Sequence, residues 1–373
     1  MIILKRVLHV LPMNKLSGAE KMALLICKNM KEYEPIVLCG GDKLKKVFEE
    51  SNIKSYSIEF SNKNIIKDIR KIREVVEKEG IDIIHAHDNT ASVISYLSKR
   101  IFNLKVKLIS HIHSCYPWLK ENGINKKIDS ILRPKYDYNI TCGKIVYDFY
   151  KDNTKYFNKE KIIILSNAID INEINNFDIS KTEEVRKEFN ILKDKIVIGF
   201  IGRLDNEKGI IPFIEELAKY KDKFNDSKFL LVGNGAQEYE VKKLIKENDL
   251  EELFILTGFQ DDVYRFYPII DIFFLPSLYE GLPMVLLEAM AFGKAIISTD
   301  VGSISEVINK DTGVLIRKCE YKSFIEELIK LKDNKKLISF YSINVKRIVE
   351  EKFNMKIYIN NMENKLYKQV ISR

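Results

Sequence analysis

Residues 197–221, VIGFIGRLDNEKGIIPFIEELAKYK, carry the pattern that decides the fold: an apolar β-branched run, a glycine turn holding charges, then apolar positions at helical spacing. A strand that turns tightly into a helix is half of a βαβ unit, and repetition of that unit builds a parallel sheet. Downstream the pattern repeats as FLLVGNG with a helix over 236–248, LFILTGF, IDIFFLP with a helix over 283–292, and AIISTDV with a helix near 303–309. Upstream it runs through RVLHVLP and 18–31, PIVLCG and 43–50, DIIHAH and 90–102, KLISHIH, and IIILSNAI. The expectation is an α/β chain of two Rossmann-like domains whose parallel sheets face a central cleft. NAIDINEINNFDISKTEEVRKEFN, between about 167 and 190, is rich in Asn and Asp with little apolar periodicity and reads as the linker. The domains are then 1–166 and 167–349, and the segment from roughly 321 to 373 reads as charged amphipathic helices.

A length of 373 residues exceeds what one hydrophobic core usually supports, which agrees with two domains. No apolar run approaches the ~20 residues of a membrane-spanning helix, and MIILKRVLHVLPMNK lacks a small-residue cleavage site, so a cytoplasmic protein is expected. Cys27, Cys39, Cys115, Cys142 and Cys319 are scattered, odd in number and without a C-x-x-C pair, which argues against a disulfide framework or a thiolate zinc site. The formal charge of +8 is divided unevenly: residues 1–168 hold 30 Lys+Arg against 19 Asp+Glu, net +11, and residues 169–373 hold 31 against 34, net −3. A basic first half points to an anionic partner such as a membrane surface or a diphosphate, or is a solvated Lys-rich surface. No nucleic-acid-binding motif accompanies it.

In open parallel sheets ligands gather beyond the carboxyl ends of strands, where helix N-termini point outward with partial positive charge. GRLDNEKG (202–209) sits at such an end, and Arg203 and Lys208 place two cations there for a phosphate or diphosphate. The spacing is neither a Walker loop nor a G-x-G-x-x-G turn. In PSLYEGLPMVLLEAMAFGKAIIS (276–298), Glu280 precedes Gly281, Leu282 and Pro283, and Glu288 lies on a helix that Pro283 can open. That helix is apolar nearly all round, so Glu288 calls for a partner: ligand hydroxyls, a neighbouring cation, or solvent. Gly235 in VGNGAQ and Phe259 in TGFQDD end two further strands on the same rim, and Gly18 in SGAE can bring backbone to a phosphate or serve as a plain turn. His85/His87 and His111/His113 end neighbouring strands, each pair on one face. A metal site is not expected of them, and the chain has no D-x-D to chelate a metal-bound diphosphate, so Arg203 and Lys208 would replace the metal.

GAEKMAL, HAHD (85–88), ISHIHS (109–114), SNAID (166–170), GRLDNEKG, VGNG and EGLPMVLLE followed by AMAFGKAIIST together resemble the family-4 retaining glycosyltransferases of the GT-B fold, in family order over some 300 residues. The resemblance implies a nucleotide-sugar co-substrate, a UDP-sugar by default, and no other cofactor. It also implies the roles: Arg203 and Lys208 on the diphosphate, Glu288 on the ribose, Glu280 and the 281–283 backbone on the sugar, His113 touching the transferred sugar. It further implies a saccharide or lipid-linked saccharide acceptor on the N-terminal domain, and a last helix, about 350–373, packing back on that domain. Peripheral membrane attachment is then expected through SKRIFNLKVK (98–107) and KENGINKKIDSILRPK (120–135). Ser17-Gly18 and Asn167-Ala168 depart from the usual Gly-Gly and Asn-Gly. A nucleotide-sugar epimerase or hydrolase, or a non-catalytic binding subunit, would use the same scaffold.

Overall fold

The computed structural model describes residues 4–60, 65–157, 159–178 and 180–372. The chain divides into two compact units, Met1–Ile169 with Asn354–Arg373, and Asp170–Phe353. The boundaries therefore fall after 169 and 353 rather than after 166 and 349. From Asp170 onward the stretch read as a linker belongs to the second unit and, apart from Ile179, which lies outside the described residues, carries two helices, Ile171–Asn175 and Lys181–Glu188. Its Asn and Asp content misleads because these residues cap: the Asp170 side chain accepts from the Asn172 and Glu173 amides, and Ile171, Ile174 and Val185 are buried.

In the first unit β1 (Lys5–Leu11), β2 (Tyr33–Cys39), β3 (Lys54–Ser57), β4 (Ile83–His87), β5 (Lys107–Ile112), β6 (Tyr138–Thr141) and β7 (Ile162–Ile164) form one sheet in the order β3-β2-β1-β4-β5-β6-β7. In the second, β8 (Ile196–Ile201), β9 (Ser227–Val232), β10 (Phe254–Gly258), β11 (Ile272–Leu275), β12 (Ala295–Thr299) and β13 (Gly313–Ile316) are ordered β10-β9-β8-β11-β12-β13. The neighbouring strands pair in parallel in both sheets. Strands covered by helices on both faces are selected for continuous apolar character, which is why IVIGFI, IFFL and AIIST are buried almost throughout.

Each sheet starts at its centre, grows to one side, then reverses and grows to the other. The reversal lies between β1 and β4 in the first unit and between β8 and β11 in the second. Loops that diverge from such a point open a crevice at the carboxyl edge. The helix expected near 303–309 is instead one tight turn, Ile304–Glu306, because the Ser303 amide donates to Gly281 O (2.8 Å) and the Ser303 hydroxyl to Glu306 (2.6 Å).

The chain returns to the first unit at its end. Met355 N donates to Ile169 O (2.8 Å), the buried Glu363 carboxylate accepts from the Lys31 and Glu32 amides (2.8 and 3.0 Å), and Tyr367 packs edge-on to Tyr33 with its hydroxyl 2.6 Å from His85 Nδ1. Among the described residues no helix is long and apolar enough to cross a membrane.

Candidate active site

In the second unit the loops after β8 and β11 flank the reversal point, and they carry the residues singled out from sequence. Glu207 O accepts from the amides of Leu278 (2.7 Å) and Tyr279 (3.3 Å), which ties the two loops together. Gly209, at φ +65°, makes this approach possible: a Cβ there would lie 2.2 Å from Pro276 O. Lys208 Nζ then reaches Glu280 Oε1 at 2.7 Å, and the Ser277 hydroxyl donates to the same oxygen at 2.7 Å. This ion pair is mostly withdrawn from water, with 16% and 6% of the side chains exposed, so it is held in place rather than sampled. Arg203 is exposed, 3.1 Å from Asp205 and 3.5 Å from Glu207. Pairs of that kind contribute about 0–1 kcal/mol, so Arg203 can exchange them for a phosphate at little cost.

Pro283 occupies the N-cap position, and the helix spans Met284–Ala291 rather than 283–292. Its Glu288 is fully buried, and the Tyr267 hydroxyl donates to Glu288 Oε2 at 2.7 Å. Burial and the Glu288 charge push the Tyr267 phenol well above its ordinary value, so it remains a donor at neutral pH. The ring of Tyr267 lies parallel to Phe292, 5.0 Å away. Leu282 is buried, and Gly281 O accepts from Ser303. Gly302, at φ +62°, lets the 280–281 backbone come close, since its Cβ would stand 2.4 Å from Glu280 O. Gly235 has a packing cause of its own, because a Cβ there would lie 2.3 Å from Leu204 O. Phe259 follows β10 and is two-thirds exposed, an aromatic face open to a flat ligand.

The first unit repeats the arrangement around β1 and β4. Gly18 opens the helix Gly18–Asn29 directly after the β1 loop, and nothing lies within 4 Å of where its Cβ would be. Ser17, in the place of the usual glycine, turns its hydroxyl to the buried Glu20. The two H-x-H pairs do end neighbouring strands, with His87 opposite His111, and a fifth histidine, His9 on β1, stands opposite His85. All the chain's histidines thus meet in one cluster. Burial lowers every one of their pKa values, that of His9 to about 3. Ring nitrogens of His9, His85 and His87 lie within 4.8 Å of one another, as do those of His87, His111 and His113, a spacing that could hold a metal ion. Four of these nitrogen pairs or partners are already within hydrogen-bond distance: His9 with His87 (3.1 Å), His87 with His113 (2.9 Å), His85 with His111 (3.3 Å) and His85 with Tyr367 (2.6 Å).

The basic stretches of the first unit need one correction. Arg133 in KENGINKKIDSILRPK is not a surface charge: it is buried against Asp129 at 2.6 Å and also donates to Ser110, Asn139 and Asn89. Tyr267, Ser277, Gly302 and His9 went unnoticed in the sequence. The first three act through partners 3 to 22 residues away in loops without a motif, whereas RVLHVL does show a histidine inside an apolar strand, a signal that could have been used.

Comparison with known proteins extends this geometry. A model described as "Glycosyltransferase Family 4" matches residues 16–173, and one described as "Glycosyl transferases group 1" matches residues 181–347. The UDP-Gal:alpha-D-GlcNAc-diphosphoundecaprenol alpha-1,3-galactosyltransferase of Escherichia coli is 23% identical, over 99% of this chain and 98% of its own. The N-acetylgalactosamine-N,N'-diacetylbacillosaminyl-diphospho-undecaprenol 4-alpha-N-acetylgalactosaminyltransferase of Campylobacter jejuni is 27% identical, over 88% and 90%. Among solved structures, Anabaena Alr3699/HepE in complex with UDP-glucose superposes with a TM-score of 0.85 at 19% identity, covering 97% of this chain and 99% of that one. With the two family models matching in succession along most of a chain that has the fold and the loop residues described above, the protein belongs to the family-4 glycosyltransferases of the GT-B fold.

Proposed function

We propose that this glycosyltransferase moves a sugar from a UDP-sugar to a saccharide or lipid-linked saccharide in cell-surface glycan synthesis, with retention of anomeric configuration and without a metal ion. The observation that carries the reading is the Lys208–Glu280 pair at the reversal point of the second sheet, with Arg203 on the same loop and Glu288 on the helix that follows. The E. coli relative named for UDP-Gal and a diphosphoundecaprenol acceptor, and the Anabaena structure holding UDP-glucose, support the donor and acceptor classes. Lys208 and Arg203 neutralise the departing diphosphate, Glu288 accepts from the ribose hydroxyls, and Glu280 with the 281–283 backbone holds the sugar while His113 contacts it. The bond from the anomeric carbon to the phosphate oxygen breaks, the acceptor oxygen bonds to the same face, and the acceptor proton passes to the released diphosphate. Catalysis then comes from charge placement and positioning rather than from a carboxylate nucleophile.

A cavity of about 350 Å³ in the first unit, at the carboxyl ends of β1 and β4, is suited to the acceptor. Asn89, Thr90 and Asn125 offer hydrogen bonds there, and Ile65, Val93 and Ile128 offer apolar wall. The test is transfer in the presence of EDTA with the product linkage read by NMR. An axial donor sugar that appears as an axial product linkage, only when acceptor is present, is expected. Inversion or loss of activity with EDTA would overturn the mechanism, and donor consumption without acceptor would make the protein a hydrolase.

A further inference from the structure

We propose that His87 and His9 are positioning residues that fix His113 as its Nδ1–H tautomer, so that His113 meets its ligand as a hydrogen-bond donor and not as a base. The row is built by the sheet. β1 and β4 are neighbours, His113 directly follows β5, the next strand over, and the three rings lie in sequence across the strands. His9 Nδ1 is 3.1 Å from His87 Nε2, and His87 Nδ1 is 2.9 Å from His113 Nε2. Ring centroids are 5.4 and 5.2 Å apart with planes inclined by 26° and 20°, so the rings meet edge to edge, each nitrogen aimed at the next.

A neutral imidazole carries one N–H and one bare nitrogen. In a row of three joined by two bonds the choice is therefore all or none. If His87 gives its Nδ1–H to His113, its Nε2 must accept from His9 Nδ1–H, and His9 Nε2 is left bare. If the row runs the other way, His9 Nε2 carries the hydrogen. That atom is buried and has no hydrogen-bond partner. Orphaned buried N–H groups are rarer in folded proteins than acceptors left short, so the first direction is favoured. His113, unlike the other histidines, is only partly covered, and under this direction the ring nitrogen free of the row, Nδ1, carries the hydrogen. The parallel row of Tyr367, His85 and His111 ends in the same way on a buried nitrogen without a partner, His111 Nε2, which favours His111 Nδ1–H donating to His85 Nε2 and His85 Nδ1–H donating to the Tyr367 hydroxyl.

The donor role of His113 rests on the reading that it touches the transferred sugar; its tautomer does not. The experiment is ¹⁵N NMR of histidine-labelled full-length protein at neutral pH, with resonances assigned through His9→Gln, His87→Asn and His87→Leu. Nδ1–H patterns for His9, His87 and His113 are expected, against the Nε2–H form that a free histidine side chain prefers. An Nε2–H pattern for His113 in the parent overturns the proposal. His87→Asn keeps an N–H close to the position of Nδ1 and should preserve the His113 tautomer, whereas His87→Leu should release it. A cooperative thermal transition and the far-UV circular dichroism of the parent confirm that each variant is folded. In transfer assays His87→Leu should lower kcat at least tenfold with the donor KM little changed, and His87→Asn should recover most of it. A released tautomer with unchanged kcat would remove His113 from the sugar and overturn the functional half of the proposal.

Discussion

Every imidazole in the β1–β4–β5 cluster is held neutral by burial, which gives the first unit a defined response to acid. The folded-state pKa values lie below the ordinary 6.5, so below that pH the unfolded chain binds protons that the folded chain refuses. Stability is therefore fully present above about pH 6.5 and lost as pH falls, down through the His9 value of about 3. Each histidine contributes a slope of up to about 1.4 kcal/mol per pH unit in that window. Urea midpoints measured from pH 7.5 to 5 should fall steeply below 6.5, and less steeply in His9→Gln; a flat profile would show that the cluster is solvated. At this scale the charged residues of the candidate site were conspicuous in the sequence, and the uncharged groups that hold them, Tyr267 and Ser277, were not. Lys208 and Glu280 stand in glycine-rich turns after strands, where charge is conspicuous. Tyr267 stands in an apolar run, FYPIID, where nothing distinguishes the ring that holds Glu288 from one that merely fills the core.

At the scale of elements, the second-unit site depends on how closely the loops after β8 and β11 approach. Gly209→Ala would place a Cβ 2.2 Å from Pro276 O on a residue at φ +65°. We expect a loss of at least about 1–3 kcal/mol in urea unfolding, together with weakened donor binding as the loops are forced apart. Gly18→Ala meets no atom within 4 Å and should leave stability within about 0.5 kcal/mol of the parent. Equal stability of Gly209→Ala and the parent would mean that the loops are not held as described. Long central strands were readable because burial on both faces makes them continuously apolar. The short strands KSYS and YNIT mix polar residues and carry no such signal, so β3 and β6 were missed. The capped helices after Asp170 looked like linker for the same reason that they are well capped.

On the scale of the whole molecule, the net +11 of residues 1–168 and the exposed Ile101, Ile124 and Ile131 beside lysines lead us to propose docking of the first unit on anionic membranes. Flotation with anionic vesicles should carry the protein at low salt and release it at high salt, and absence of binding at low salt would end this proposal. The two-domain α/β plan was legible because βαβ rhythm survives without knowledge of contacts, whereas the return of residues 354–373 to the first unit was expected from the family resemblance alone, since it rests on Glu363 and Tyr367, whose partners no local pattern reveals. The claim that most needs testing is that the second unit binds a nucleotide sugar through Lys208. Thermal unfolding should be followed with UDP, GDP, ADP and their sugar conjugates, on the parent and on Lys208→Ala. At a hundredfold excess over Kd a ligand contributes about 2.7 kcal/mol, enough to move the Tm by several degrees. A shift selective for a UDP-sugar in the parent and lost in Lys208→Ala is the predicted result; no shift with any nucleotide sugar, or an equal shift in the variant, would contradict it.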